Sequence, residues 1–125
     1  RASEMAGLTW DCVDTDRRVA HLPRTKNGRA RDVPLSLEAV RILNALDRPD
    51  VFGMTSPNMS ARWANLRDKA GVSGLRLHDA RHEAVTRLSK KLDVLALAKM
   101  IGHRDIKMLM TYYDEDAADL ARRLD

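Results

Sequence analysis

The sequence predicts an α+β domain, mainly helical, with a small antiparallel β-sheet or hairpin near its N-terminus. Three observations predict it. The dipeptide Asn27-Gly28 lies between two short segments of strand character. From Ser36 onward, apolar residues recur at helical spacing. No repeat, low-complexity tract or linker divides the 125 residues, a length that suits one domain.

Leu8, Trp10 and Cys12 alternate with polar residues, as a half-buried strand does. A second strand is expected around Val19 to Leu22, leading to Thr25-Lys26-Asn27-Gly28. Asn-Gly is a strong hairpin signal because both central residues of the tight turn need positive φ. The return strand runs to about Leu35. Ser36 then fits an N-cap, followed by the apolar stripe Ala39, Ile42, Leu43 and Leu46. The short apolar pair Val51-Phe52 precedes a helix expected from about Ser60, carrying Trp63, Leu66 and Ala70 and closed by Gly71. Further helices are expected from about His78 to Leu88 and from Asp93 to Ile101. The second of these carries Val94, Leu97, Ala98 and Ile101 on one face and stops at Gly102. A turn from Asp105 to Tyr113 and a final helix from Asp114 complete the chain.

Lys plus Arg is 22 and Asp plus Glu 18, a formal charge of +4, and 44% of residues are hydrophobic. That content supports a folded core and argues against wholesale disorder. The apolar runs are only a few residues long and the first ten residues mix charge with Gly and Thr. Neither a bilayer span nor a signal peptide is expected. The single Cys12 rules out an internal disulfide framework and fits a reducing, cytoplasmic setting. Five aromatic residues are too few for a platform that stacks single-stranded bases.

The charge is clustered. Residues 17–31 hold Arg17, Arg18, Arg24, Lys26, Arg29 and Arg31 with no acid, and residues 62–91 hold eight bases against three acids. The last twelve residues reverse the sign, with five acids. Such clustering points to a polyanion such as a nucleic-acid backbone, against the plainer alternative of solvated faces.

One arginine sits on the wrong stripe. In the helix around His78, the core positions Ala84, Val85 and Leu88 step back to Arg81 and then His78. A guanidinium there costs several kcal/mol unless an anion meets it, and the first turn of a helix favours negative charge. A bound anion would answer both objections; a structural pair with Asp79 or another carboxylate would answer the first. His78 and His82, spaced i and i+4, could share a metal, but nothing completes a recognisable site and no metal is expected.

Taken together, Arg1-x-x-Glu4, the hairpin Lys26, His78-x-x-Arg81, Gly102-His103 and Tyr112 resemble the tyrosine recombinase (phage-integrase-like) family. "RASEMAGLTWDCVD" resembles its first box, "TKNGRARDVPLS" its lysine-bearing β-hairpin, "LRLHDARH" its second box and "MIGHRDIKMLMTYY" its third. Ala80 stands where the family usually has Leu, and Thr111 where it often has Arg. The likeness covers nearly the whole chain.

The resemblance implies that residues 1–125 are a partial catalytic domain, with a core-binding domain and the first helices of the catalytic domain upstream of Arg1. It implies a site-specific recombinase or integrase that cuts and rejoins double-stranded DNA through a 3′-phosphotyrosyl intermediate, without metal, ATP or other cofactor. The catalytic residues would be Arg1, Lys26, His78, Arg81, His103 and Tyr112, with Glu4 supporting them from behind. Tyr112 would attack, Arg1 and Arg81 grip the phosphate, and Lys26 protonate the leaving oxygen. His78 would assist proton transfer from the tyrosine, and His103 would hydrogen-bond the phosphate. A homo-oligomer on DNA, a tetrameric synapse, is implied as well. The alternatives are a type IB topoisomerase and a DNA-binding module that has lost cleavage.

Overall fold

The computed structural model describes residues 1–24, 28–103 and 105–125. Lys26 and the Thr25–Asn27 part of the hairpin turn lie outside the described residues, as does Arg104. The chain opens with α1 (Ala2–Ala6) and a 3₁₀ turn (Trp10–Cys12). The strands β1 (Val13–Asp14), β2 (Val19–Leu22) and β3 (Arg31–Pro34) follow. Six helices come after them: α2 (Leu37–Ala45), α3 (Ser56–Lys69), α4 (Leu77–Ser89), α5 (Val94–Ile101), α6 (Lys107–Met110) and α7 (Ala117–Arg122).

The sheet is antiparallel in the order β1-β2-β3. Its pairs include Ala20 with Val33 and Leu22 with Arg31. Ala20 and Leu22 are buried while His21 between them is exposed, the alternation of a one-sided strand. The strand expected at Leu8–Cys12 is largely a 3₁₀ turn, and β1 is confined to two residues beyond it. The Trp10 indole donates to the Arg48 carbonyl at 2.9 Å, which pins this segment to the loop after α2. Just beyond, the Asp14 carboxylate accepts from the Arg17 backbone at 2.8 Å and closes the turn into β2.

The helices largely follow their caps. Ser36 accepts from the Ala39 backbone (3.1 Å) and starts α2 where expected. Thr55, which accepts from the Asn58 backbone, starts α3 four residues before the expected Ser60, with Pro57 in its first turn. The last helix starts later than expected. Asp116, not Asp114, caps it, accepting from the Asp119 backbone at 2.7 Å.

The core that carries the site joins Val85 of α4, Leu97, Ala98 and Ile101 of α5, and Leu109 of α6. Leu97 is fully buried, and Tyr112 and Tyr113 pack against this cluster. Asp93 caps α5 by accepting from the Ala96 backbone (2.8 Å), and Gly102 ends it at φ +77°. There the backbones of Gly102 and His103 both donate to the Ala98 carbonyl, at 2.9 and 3.0 Å. Among the described residues, no helix is long and apolar enough to cross a membrane.

Candidate active site

The site is organised around the C-terminal end of α5. A helix ends with unpaired carbonyls and a partial negative charge, which favour cations. Two arginines use them. Arg31 donates through Nε to the Met100 carbonyl at 2.9 Å, and Arg81 donates through Nη2 to the next carbonyl, Ile101, at 3.2 Å. The dipole that disfavours Arg81 in its own helix is thus answered by the opposite pole of another. Asp79 is not its partner: that carboxylate accepts from the Arg76 backbone (2.8 Å) at the start of α4.

Arg31 also reaches across to α1. Its Nη1 and Nη2 donate to Glu4 Oε1 and Oε2 at 2.8 and 3.0 Å, a two-pronged ion pair. Burial by itself would raise the Glu4 carboxyl, but the hydrogen bonds from Arg31 outweigh it and hold the group well below the usual carboxylate range. Gly102 belongs to the same arrangement. A Cβ there would stand 3.1 Å from three guanidinium atoms of Arg31, so its missing side chain serves the close approach as well as the positive φ.

Arg81 and His103 both feel the charge of Arg1. Burial lowers the pKa of His103, and the positive charges of Arg81 and then Arg1 lower it further. Burial likewise pushes Arg81 down, with Arg1 as the next cause. Arg1, Arg31 and Arg81 carry more positive charge than Glu4 neutralises, an electrostatic setting that suits an anion such as phosphate. The neutral imidazole of His103 can still offer it a hydrogen bond.

Tyr112 approaches α4 from the turn that follows α6. Its phenolic oxygen lies 3.0 Å from Nδ1 and 3.3 Å from Nε2 of His82. Tyr113 turns the other way. Its hydroxyl donates to the Leu92 carbonyl at 2.6 Å, so it anchors to the loop between α4 and α5. His78 stands exposed on α4, one turn before His82.

The structure therefore brings Arg1, Glu4, Arg81 and His103 to one end of α5, and sets Tyr112 against the helix that carries His78 and Arg81. Arg31 was not singled out by the sequence reading, which counted it only within a basic run suited to an external polyanion. Its signal lay in the strand period. Arg31 and Val33 share the inward face opposite Leu22 and Ala20, and an arginine at an inward position needs a partner, as Arg81 did. The contact of His82 with Tyr112 had no such signal, since 30 residues separate the two.

Residues 1–49 and 51–119 match the phage integrase family. The chain belongs to that family. It is 43% identical, over its whole length, to a Haemophilus influenzae protein named "Putative integrase/recombinase", covering 43% of that protein. It is 36% identical over its whole length to a "Shufflon-specific DNA recombinase" of Escherichia coli, covering 34% of it. The chain thus spans less than half the length of these relatives. Among solved structures, the crystal structure of XerA recombinase superposes with a TM-score of 0.76 at 19% identity, over 98% of this chain and 51% of that one. That likeness confirms the fold: a mainly helical domain with a small antiparallel sheet.

Proposed function

We propose that this phage integrase family chain is the catalytic part of a longer site-specific DNA recombinase, acting through a 3′-phosphotyrosyl intermediate. The observation that carries the reading is the gathering of Arg1, Arg81 and His103 at the end of α5: Arg1 and Arg81 line one cavity with Met100 and Ile101, Arg81 donates to the Ile101 carbonyl, and His103 follows the glycine that ends the helix. The sequence relatives named as integrase and recombinase support the same reading.

Tyr112 attacks the scissile phosphate and becomes esterified to it, releasing a 5′ hydroxyl. Arg1 and Arg81 hold the non-bridging oxygens with permanently charged planar forks. Such fixed donors are worth roughly 3–4 kcal/mol each as charge develops in the transition state. His103 donates a hydrogen bond to the same phosphate, and His78, on the α4 face that bears Arg81, completes the set. Glu4 keeps α1 on the α5 end through Arg31. Lys26 of the hairpin protonates the leaving oxygen. One phosphodiester is exchanged for another, so the chemistry needs no ATP, and the arginines supply the charge a metal would. Strand exchange then requires two DNA duplexes held by several protomers, in a tetramer.

The test is covalent capture. The full-length protein, incubated with a nicked duplex bearing its recombination site, should form a protein–DNA adduct that Tyr112→Phe abolishes. DNA binding without any adduct from the unaltered protein would favour a module that only binds.

A further inference from the structure

The family resemblance gives the proton of the attacking tyrosine to His78, yet the phenol of Tyr112 meets a different histidine. Tyr112 Oη lies 3.0 Å from His82 Nδ1, and the rings meet edge-on with centroids 5.7 Å apart and planes at 61°. His82 directly follows Arg81 on α4. The tyrosine packs against the buried cluster that includes Val85, Leu97 and Leu109, and its hydroxyl reaches His82 one turn before Val85 on α4. His82 is exposed, and an exposed pairing of this kind contributes little to stability. What it does offer is chemistry. A phenol titrates near 10 and needs a proton acceptor to react at neutral pH, and imidazole is the side chain that changes charge there.

We infer that His82 is the general base that takes the proton of Tyr112 during strand cleavage and returns it during rejoining. This assignment rests on the proposed function and names a part of its site. In the forward step the Oη–H bond of Tyr112 breaks and its proton passes to the His82 ring. Oη forms a bond to phosphorus, the bond from phosphorus to the 5′ oxygen breaks, and that oxygen takes a proton from Lys26. In the reverse step the 5′ hydroxyl returns its proton to Lys26 and bonds to phosphorus, the bond from phosphorus to Oη breaks, and the His82 imidazolium gives its proton back to the departing tyrosine oxygen. The base and the phosphate-gripping Arg81 are neighbours on one helix, so a rigid element sets their separation. Among the described residues, the other charged or titratable groups on the two segments that meet here are His78, Asp79, Arg81, Glu83 and Arg87 on α4 and Asp105 and Lys107 before Tyr112. Glu83 is held by Arg87 at 2.7 Å.

The experiment measures single-turnover adduct formation by the full-length protein on nicked duplexes whose scissile 5′ bridging atom is either oxygen or sulfur. A thiolate leaves without a proton, so sulfur removes the need for the acid but not for the base. His82→Gln and His82→Asn should each slow cleavage of both substrates on the order of 10²-fold or more, the usual range for a lost general base. Their affinity for DNA should stay within about threefold, since the base acts on the reaction and not on phosphate contacts. Lys26→Ala should be rescued by sulfur. On the sulfur substrate the unaltered protein should show a rate rising with pH through a histidine-type ionisation; His82→Gln should lose that limb and His78→Gln should keep it. The inference is overturned if both His82 variants cleave at near the unaltered rate, or if the limb vanishes with His78→Gln instead. Either result leaves the recombinase reading standing, because Tyr112-dependent adducts would still form. An unaltered protein that binds DNA but forms no adduct on either substrate overturns both.

Discussion

The guanidinium of Arg31 clasps the carboxylate of Glu4 with two hydrogen bonds, at 2.8 and 3.0 Å, and spends its remaining nitrogen on the Met100 carbonyl at 2.9 Å. One side chain thereby fastens α1, the sheet and the end of α5 together. Only 14% of the Arg31 side chain and 11% of Glu4 is exposed, so each is the answer to the other's burial. Removing one partner strands a charge, which costs about 3–5 kcal/mol in such settings, whereas replacing both with apolar groups costs less. Arg31→Met should therefore destabilise the chain by roughly that amount, and Arg31→Met with Glu4→Met by less than the single change. Denaturant unfolding of the two variants checks this, and equal losses would show that the pair acts through packing alone.

The same pair makes stability depend on acid. In the folded chain the Glu4 pKa lies well below its ordinary value of 4.5. A depressed carboxyl contributes fully above the unfolded value and loses its contribution as pH falls through the folded one. The stability of the unaltered chain relative to Glu4→Gln should be constant above about pH 5 and shrink below it. A difference that stays flat down to pH 2 would show that Glu4 titrates alike in both states.

Charge stabilisation by arginines leads to a third expectation. If Arg1 and Arg81 neutralise the phosphate, adduct formation by the full-length protein should persist in EDTA. Arg81→Lys should lower the cleavage rate by about 10²-fold or more, because a point charge cannot reproduce a planar fork fixed on the Ile101 carbonyl. Loss of cleavage on chelation, restored by Mg²⁺, would overturn the metal-free mechanism.

What the sequence made legible follows from how each signal is written. Helix α5 has an Asp cap, three buried stripe residues and a left-handed glycine, all local features, and the structure has each of them. The resemblance to the family's second and third boxes singled out Arg81 and His103, which the structure sets at the end of α5. Helix α1 is five residues long, too short to show a period. The alternation at Leu8–Cys12 resembled a strand because Trp10 and Cys12 are half-buried, but the indole contact with Arg48, 38 residues on, sets a 3₁₀ turn there. Arg31 was hidden in a run of bases in which Arg17, Arg18, Arg24 and Arg29 are exposed. Contacts that join distant segments, such as Arg31 with Glu4 and Tyr112 with His82, are tertiary facts that no local pattern encodes.

Helix α7 carries the fourth prediction. Ala117, Leu120, Ala121 and Leu124 recur at helical spacing, yet Leu120 is 48% and Leu124 87% exposed, and the helix buries no residue. An apolar stripe left uncovered on its own domain leads to the expectation that α7 docks on a neighbouring protomer. Deleting residues 114–125 from the full-length protein should abolish recombination between two sites and leave binding to one site intact. A deletion that loses single-site binding and fold together would show instead that α7 supports its own domain.

The last prediction separates the two tyrosines. Adjacent residues of a helical turn point about 100° apart, and here the two phenols reach different partners. Tyr112 faces α4 through His82, while the Tyr113 hydroxyl is committed to the Leu92 carbonyl at 2.6 Å. Burial and then the charge of Asp93 raise the Tyr113 phenol above its ordinary pKa, which makes it the poorer nucleophile at neutral pH. Attack requires the reacting atoms within about 3–3.5 Å in a defined line, so one phenol must be committed to it. Tyr112→Phe should eliminate the covalent adduct and leave DNA affinity nearly unchanged. Tyr113→Phe should keep the adduct and lower stability by about 1 kcal/mol, the usual contribution of one hydrogen bond. Mass spectrometry of the phosphotyrosyl peptide decides the matter. An adduct on Tyr113 would mean that this hydroxyl leaves Leu92 on DNA binding and that Tyr112 is the supporting residue.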